Sequence, residues 1–293
     1  MKALVCEMCN SSDLLKQDGN FVCQSCGMKY TLEEAKKMMV EGTVKVDNSD
    51  FVQKYLQNAR RAKQKEDWEE TEKYYNMVEQ NDPSNIEAIF YSAYGKAKAC
   101  LCVNEIYKRE AIFKALIKSI SILDDNYDPE NSKATEPILE QIVCDVIGLF
   151  GSEFVYTKTT NSNGQVSDDS GKTYQLFINT AVEMYNTLKQ IDTKVTSNAD
   201  KIFIGKLMLK LVDFMSNYHR LTKDSRLTWF DYGIRITENL KKLDSSVSCK
   251  DYRQAKAEYE EKLAQDAKKT AIGCLIGAIA AVVIIVCIVV AIM

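Results

Sequence analysis

The chain is poor in the residues that break helices and in the one that most often does catalysis. Its 293 residues include only 3 prolines, 12 glycines and a single histidine. So few breakers argue against a turn-rich all-β fold and for long helices. One histidine excludes any mechanism that needs two, among them most histidine-based zinc enzymes and phosphorelay pairs. An excess of charge is missing too: 38 Lys and Arg face 41 Asp and Glu, for a net charge of -3. That balance excludes a strongly basic nucleic-acid binder, and 46% hydrophobic residues exclude a disordered chain. No P-loop, glycine-rich dinucleotide motif, nucleophile–base pair or paired-carboxylate pattern is visible, so no enzymatic activity is expected.

Ten cysteines stand against these absences, and their positions divide them. Cys6-Glu7-Met8-Cys9 and Cys23-Gln24-Ser25-Cys26 form two CxxC pairs thirteen residues apart. Each pair can supply two thiolates from one tight turn, and together they can close a tetrahedral metal site. Asn10 and Gly27 follow the pairs, the residue types that best tolerate the left-handed backbone of such a knuckle. Between them, 13–16 and 20–23 fit two short strands around an Asp18-Gly19 turn. Two disulfides would need an oxidising compartment, and a redox-active CxxC would need a βαβ context that is not visible. Iron of the rubredoxin kind uses the same ligands as zinc, so precedent rather than geometry favours zinc. A site closed by four cysteines has no open position for catalysis.

Residues VCEMC, FVCQSCGMKY and the following TLEEAKKMMVEG resemble the transcription-factor-IIB-type zinc ribbons, in particular those that open certain bacterial proteins. The resemblance covers about the first forty-six residues. It implies a structural Zn2+ held by Cys6, Cys9, Cys23 and Cys26, with Asn10 standing where many ribbons have glycine. Residues 1–30 hold three lysines against three acids, so nothing in them favours phosphate binding and a protein-interaction module is the better reading. Thr31 and Glu34 make a capping box for a helix to about Val40, stopped by Gly42, before a linker over 43–49.

The middle, 51–269, reads as helical. Phe51, Tyr55, Ala59 and Ala62 share one helix face, and Trp68, Thr71, Tyr75 and Val78 share the next, ended by Asp82-Pro83. Large residues opposite small ones let two antiparallel helices pack closely, in an arrangement that resembles a tetratricopeptide repeat. No second clean copy follows. Ser84 and Glu87 predict a capping box for the next helix. Further helices are expected over 105–123, 136–156, 172–191, 199–219, 226–243 and 249–269, with Pro137 in the first turn of its own. The stretch 157–172 lacks an apolar face and reads as a loop, or alternatively as an exposed hairpin turning at Asn163-Gly164. Cys100, Cys102, Cys144 and Cys249 show no ligand spacing and read as ordinary thiols, and His219 as a capping or surface residue.

From Thr270 to Met293 the sequence carries no charge and no proline. A helix of that length spans the roughly 30 Å hydrocarbon core of a bilayer, so 270–293 is expected to be a transmembrane tail anchor. Lys268 and Lys269 place 1–269 on the cytoplasmic side, and MKALVCEMC lacks a signal-peptide core. Gly273, Gly277 and Ala281 would let two such tails pair as a homodimer. The fold class expected is therefore mainly α: a small β zinc ribbon (1–30), a short helix and linker (31–50), a repeat-like helical domain and the anchor. The function expected is a membrane-anchored cytosolic adaptor in the bacterial cell membrane that meets protein partners through the zinc ribbon and the helical-repeat surface; a transcription-related or nucleic-acid-binding zinc-ribbon protein and a cysteine-based redox sensor are the alternatives.

Overall fold

A computed structural model describes residues 6, 8–9, 11, 13–17, 19–35, 49–102, 105–152, 158–160, 166–168 and 170–292, with side chains for all but 49–50, 158–160, 166–168, 170 and 273–292. The chain divides into two compact units, Met1–Gln53 and Lys54–Met293.

The first unit is built on a three-stranded antiparallel meander, β1 (Leu14–Gln17), β2 (Asn20–Cys23) and β3 (Lys29–Tyr30). Gln17 pairs with Asn20 and Leu14 with Cys23, so the expected turn at Gly19 sets the register. Gly19 and Gly27 both have positive φ, 86° and 73°, a conformation in which a side chain is strained. The capping box forms: the Glu34 amide donates to Thr31 Oγ1 at 3.2 Å and the Thr31 amide to Glu34 Oε2 at 2.8 Å. Residues 32–35 are helical, and the expected continuation to Val40 and the linker lie outside the described residues.

The second unit is helical: α1 (Ser49–Gln64), which begins just before its boundary, α2 (Trp68–Asn81), α3 (Ile86–Cys100), α4 (Ile106–Ser121), α5 (Leu123–Asn126), α6 (Ser132–Gly148), α7 (Ser170–Lys194), α8 (Asn198–Asn217), α9 (Lys223–Leu243) and α10 (Tyr252–Ile292). Helix α1 stops in a Schellman motif. The Asp67 amide reaches back to the Ala62 carbonyl at 3.1 Å and the Glu66 amide to the Lys63 carbonyl at 3.0 Å. That geometry forces Glu66 to φ 57°, which glycine adopts without strain. Replacing Glu66 by Gly is expected to raise stability by about 0.5–1 kcal/mol, read as a higher urea midpoint.

The close pair expected of α1 and α2 is instead formed by α2 and α3, through a small residue the sequence reading passed over. A Cβ on Gly95 would stand 2.8 Å from the Glu72 amide nitrogen and 3.0 Å from the Trp68 carbonyl oxygen. Both are backbone atoms that cannot rotate away, so Gly95→Ala is expected to cost about 2 kcal/mol in thermal or urea melting. Tyr75 stacks on Tyr91 at 5.1 Å and Phe90 on Tyr94 at 5.2 Å. Asp145 fastens α6 to this pair: Tyr91 Oη donates to its carboxylate at 2.6 Å, and Tyr94 Oη to its backbone carbonyl at 3.2 Å. Further on, Phe113 of α4 meets Phe177 of α7, and Phe230 of α9 meets Tyr259 of α10.

Three details differ from expectation and a fourth decides between two readings. Phe51 is 56% exposed, and Leu56 takes its place in the buried face with Ala59 and Ala62. The cap of α3 is Asn85, whose Oδ1 accepts from the Ala88 amide at 3.1 Å, and Glu87 is buried instead. Pro137 lies inside α6, because a 3-10 turn at Pro129–Asn131 starts the helix a turn early. Strands β4 (Lys158–Thr160) and β5 (Val166–Asp168) pair antiparallel, so the alternative reading of the segment, a hairpin, is the one that holds. Its turn at Asn163-Gly164 lies outside the described residues.

The membrane anchor is also corrected. Among the described residues no helix is long and apolar enough to cross a membrane, which counts against a single-pass anchor and the membrane localisation built on it. The part of α10 with described side chains ends at Ile272 and is dominated by exposed charged residues, Lys268 and Lys269 among them. Its backbone stays helical through Gly273 to Ile292, and the pairing surface assigned to Gly273, Gly277 and Ala281 lies outside the side chains described.

Candidate metal centre

Two tight turns bring the four N-terminal sulfurs together. In the second, the Gly27 amide donates to the Cys23 carbonyl at 2.8 Å and the Cys23 amide to the Met28 carbonyl at 2.9 Å. The left-handed Gly27 closes this knuckle and sends the chain back as β3. In the first, the Cys6 amide donates to the Ser11 carbonyl at 2.8 Å. A hydroxyl contact of 2.8 Å between Ser25 and Ser11 ties the two turns to each other. Cys6 and Cys23 are fully buried and form the core of the unit with Tyr30, against Leu14 and Phe21, whereas Cys9 and Cys26 face outward.

All four Sγ atoms lie within 4.8 Å of one another. Cys6 and Cys26 are 3.5 Å apart and Cys9 and Cys23 3.6 Å. A disulfide needs about 2.05 Å, so these are free thiols. Four ligands at the usual Zn–S length of about 2.3 Å sit about 3.8 Å from each other at the corners of a tetrahedron. The sulfurs therefore fit one metal ion at their centre. Among the described residues this is the one group of histidine, cysteine or acidic side chains close enough to hold a metal.

The electrostatics point the same way. Tyr30 Oη lies 3.1 Å from Cys6 Sγ, and this hydrogen bond, against the opposing effect of burial, pulls the Cys6 thiol down to about 6. Burial pushes Cys23 up, but the backbone amides of Cys26 and Ser25 outweigh it and the thiol ends lowered. Cys9 moves the other way. The Ser11 backbone lowers it, yet the neighbouring sulfurs and burial together carry it up to about 12. Sulfurs this close cannot all ionise side by side, and a central cation removes that conflict.

The four residues singled out in the sequence are thus brought together, and the remaining described cysteines are not. Cys100 is buried, Cys102 exposed, and Cys144 and Cys249 half-buried. His219 is exposed beyond the end of α8, its ring 5.1 Å from that of Tyr218. Sequence reasoning missed Tyr30. Its signal was the single aromatic residue after the second knuckle, which the Phe21–Tyr30 pairing turns toward Cys6. The chain matches no family model, no curated protein and no solved structure.

Proposed function

We propose that the chain is a protein-interaction adaptor, in which a structural zinc ribbon of the transcription-factor-IIB type and a tetratricopeptide-like helical domain each offer a surface to protein partners. The observation that carries this reading is a closed four-sulfur centre in a small unit that leaves apolar side chains in water. Four protein ligands leave no position for a substrate, which favours a structural role, and zinc is the ion such sulfur sets most commonly hold. Around that centre Met8 is 70% exposed and Leu15 53%, with Met28 and Leu32 also exposed. Apolar groups kept in water on so small a unit favour a protein partner. The even charge of 1–30 gives little to attract a phosphate backbone.

Crosslinking pull-down with the full chain tests the reading. Leu15→Asp together with Met28→Asp is expected to weaken capture of the partner about tenfold while metal content, measured by atomic emission, is retained. Capture unchanged by these variants and by Cys23→Ser would move recognition to the helices. A salt-dependent shift of DNA or RNA by the full chain, lost on metal removal, would replace the adaptor reading with nucleic-acid binding.

A further inference from the structure

Where α7 ends, α8 begins and α9 ends, the second unit holds a cavity of about 270 Å³. Asp192, in the last turn of α7, and Lys201, in the first turn of α8, stand on its wall. Both are half-buried. Neither side chain has an ion-pair or hydrogen-bond partner among the described residues, although each carries a charge that partial burial makes costly to leave alone. Burial raises the Asp192 carboxyl above its ordinary range, and Lys201 offsets this only in part, from beyond ion-pair distance.

The rest of the wall is mixed: Asn239 and Lys242, both exposed to water, stand beside apolar residues. Met208, Ile236 and Leu240 are buried side chains with one face on this space. The helix ends reinforce the two charges rather than cancel them. The C-terminal ends of α7 and α9 carry partial negative charge and the N-terminal end of α8 partial positive charge. The cavity therefore has a negative pole at Asp192, a half-buried positive pole at Lys201 with the solvated Lys242 beside it, and an apolar face, in a space just below the ligand-pocket range of about 300–1,000 Å³.

We infer that this cavity binds a free α-amino acid with an apolar side chain, its ammonium at Asp192, its carboxylate at Lys201 and its side chain against Met208, Ile236 and Leu240. A singly charged molecule satisfies one of the two half-buried poles, Asp192 or Lys201, and leaves the other without a partner, whereas Lys242 is solvated by water. A zwitterion satisfies both. The site is independent of the metal centre and adds a small-molecule input to the helical unit.

Isothermal titration of the full chain with L-leucine tests this. Saturable binding is expected, with isoamylamine, which lacks the carboxylate, and 4-methylpentanoic acid, which lacks the amine, each at least about tenfold weaker. Asp192→Asn and Lys201→Gln are each expected to weaken leucine binding by about tenfold with an unchanged helical circular-dichroism spectrum. No saturable heat up to about 10 mM leucine would overturn the inference. So would an amine or an acid that binds as well as leucine, a comparison made on the unaltered protein and independent of how the variants fold. Unchanged binding in either variant would overturn the assignment of that pole.

Discussion

Stripping the metal with a strong chelator at neutral pH is expected to unfold the first unit and leave the helices standing. The reason is the size of its core. Cys6, Cys23 and Tyr30 are its buried centre, with Leu14 and Phe21 packed against them, and two of these residues are ligands. The unit's described strands, knuckles and capping box lie within residues 6–35, and a fold below about 40 residues rarely buries enough apolar surface to stand without a metal or disulfides. A bound structural zinc contributes on the order of 10 kcal/mol at neutral pH, more than any other interaction in the unit can supply. Amide protection over 20–30 should therefore vanish in hydrogen exchange, and Cys23→Ser should do the same without chelator. The helical unit has its own buried core, so its circular dichroism should persist. Protection of the β2 and β3 amides that survives metal removal would show that the sulfur cluster does not hold the fold.

Arg60→Ala is expected to be the most damaging single change on the surface of the helical unit, at about 3 kcal/mol. Arg60 donates from Nε and Nη2 to the two carboxylate oxygens of Glu87, at 2.8 and 2.5 Å. Tyr75 Oη donates to Glu87 Oε1 at 2.7 Å. The Glu87 side chain is only 7% exposed, whereas that of Arg60 is 56% exposed. Removing the arginine thus strands a buried carboxylate, while removing the glutamate leaves a guanidinium that water can solvate. Glu87→Gln should accordingly cost less than Arg60→Ala. The triple variant Arg60→Met, Glu87→Met, Tyr75→Phe should recover most of the loss, since it leaves no buried polar group unsatisfied. Urea melts of the three proteins decide the order, and an Arg60→Ala loss below that of Glu87→Gln would refute it.

The same carboxylate gives the helical unit an acid limb. Burial pushes the Glu87 carboxyl up, but the hydrogen bonds from Arg60 and Tyr75 outweigh it, and the group ends below its ordinary range. A group held lower in the folded state stabilises the fold above the unfolded value of about 4.3 and loses that contribution as pH falls through the folded value. Glu87→Gln removes this group's share of the acid limb.

What the sequence made legible was local. Two CxxC pairs, a glycine after the second and an Asp18-Gly19 turn are patterns a few residues long, and the metal centre is assembled from them. The Thr31–Glu34 box is legible for the same reason. Glu87 shows where local reading fails. Ser84-x-x-Glu87 has the spacing of a capping box, but Asn85 caps equally well one residue on, and the partner that claims Glu87 lies 27 residues upstream. Tyr30 was hidden in the same way, because its value depends on strand pairing. The hairpin at 158–168 was announced only by its Asn163-Gly164 turn, since no apolar alternation marks its strands. The tail anchor was read from the uncharged run 270–293 and the lysines before it, and among the described residues no helix is long and apolar enough to cross a membrane.

Helix α10 has a mechanical consequence. Its described fastenings to α9 lie near its start: Arg253 to Glu238, Lys256 to Asp231, and the Tyr259 ring against Phe230. Beyond them the backbone continues helical to Ile292. A continuous helix advances about 1.5 Å and turns about 100° with every residue. Azimuth at its far end is thus indexed to α9 through residue count, and a single inserted residue between Tyr259 and Ile272 would swing everything after it by more than a quarter turn while leaving the clamped end undisturbed.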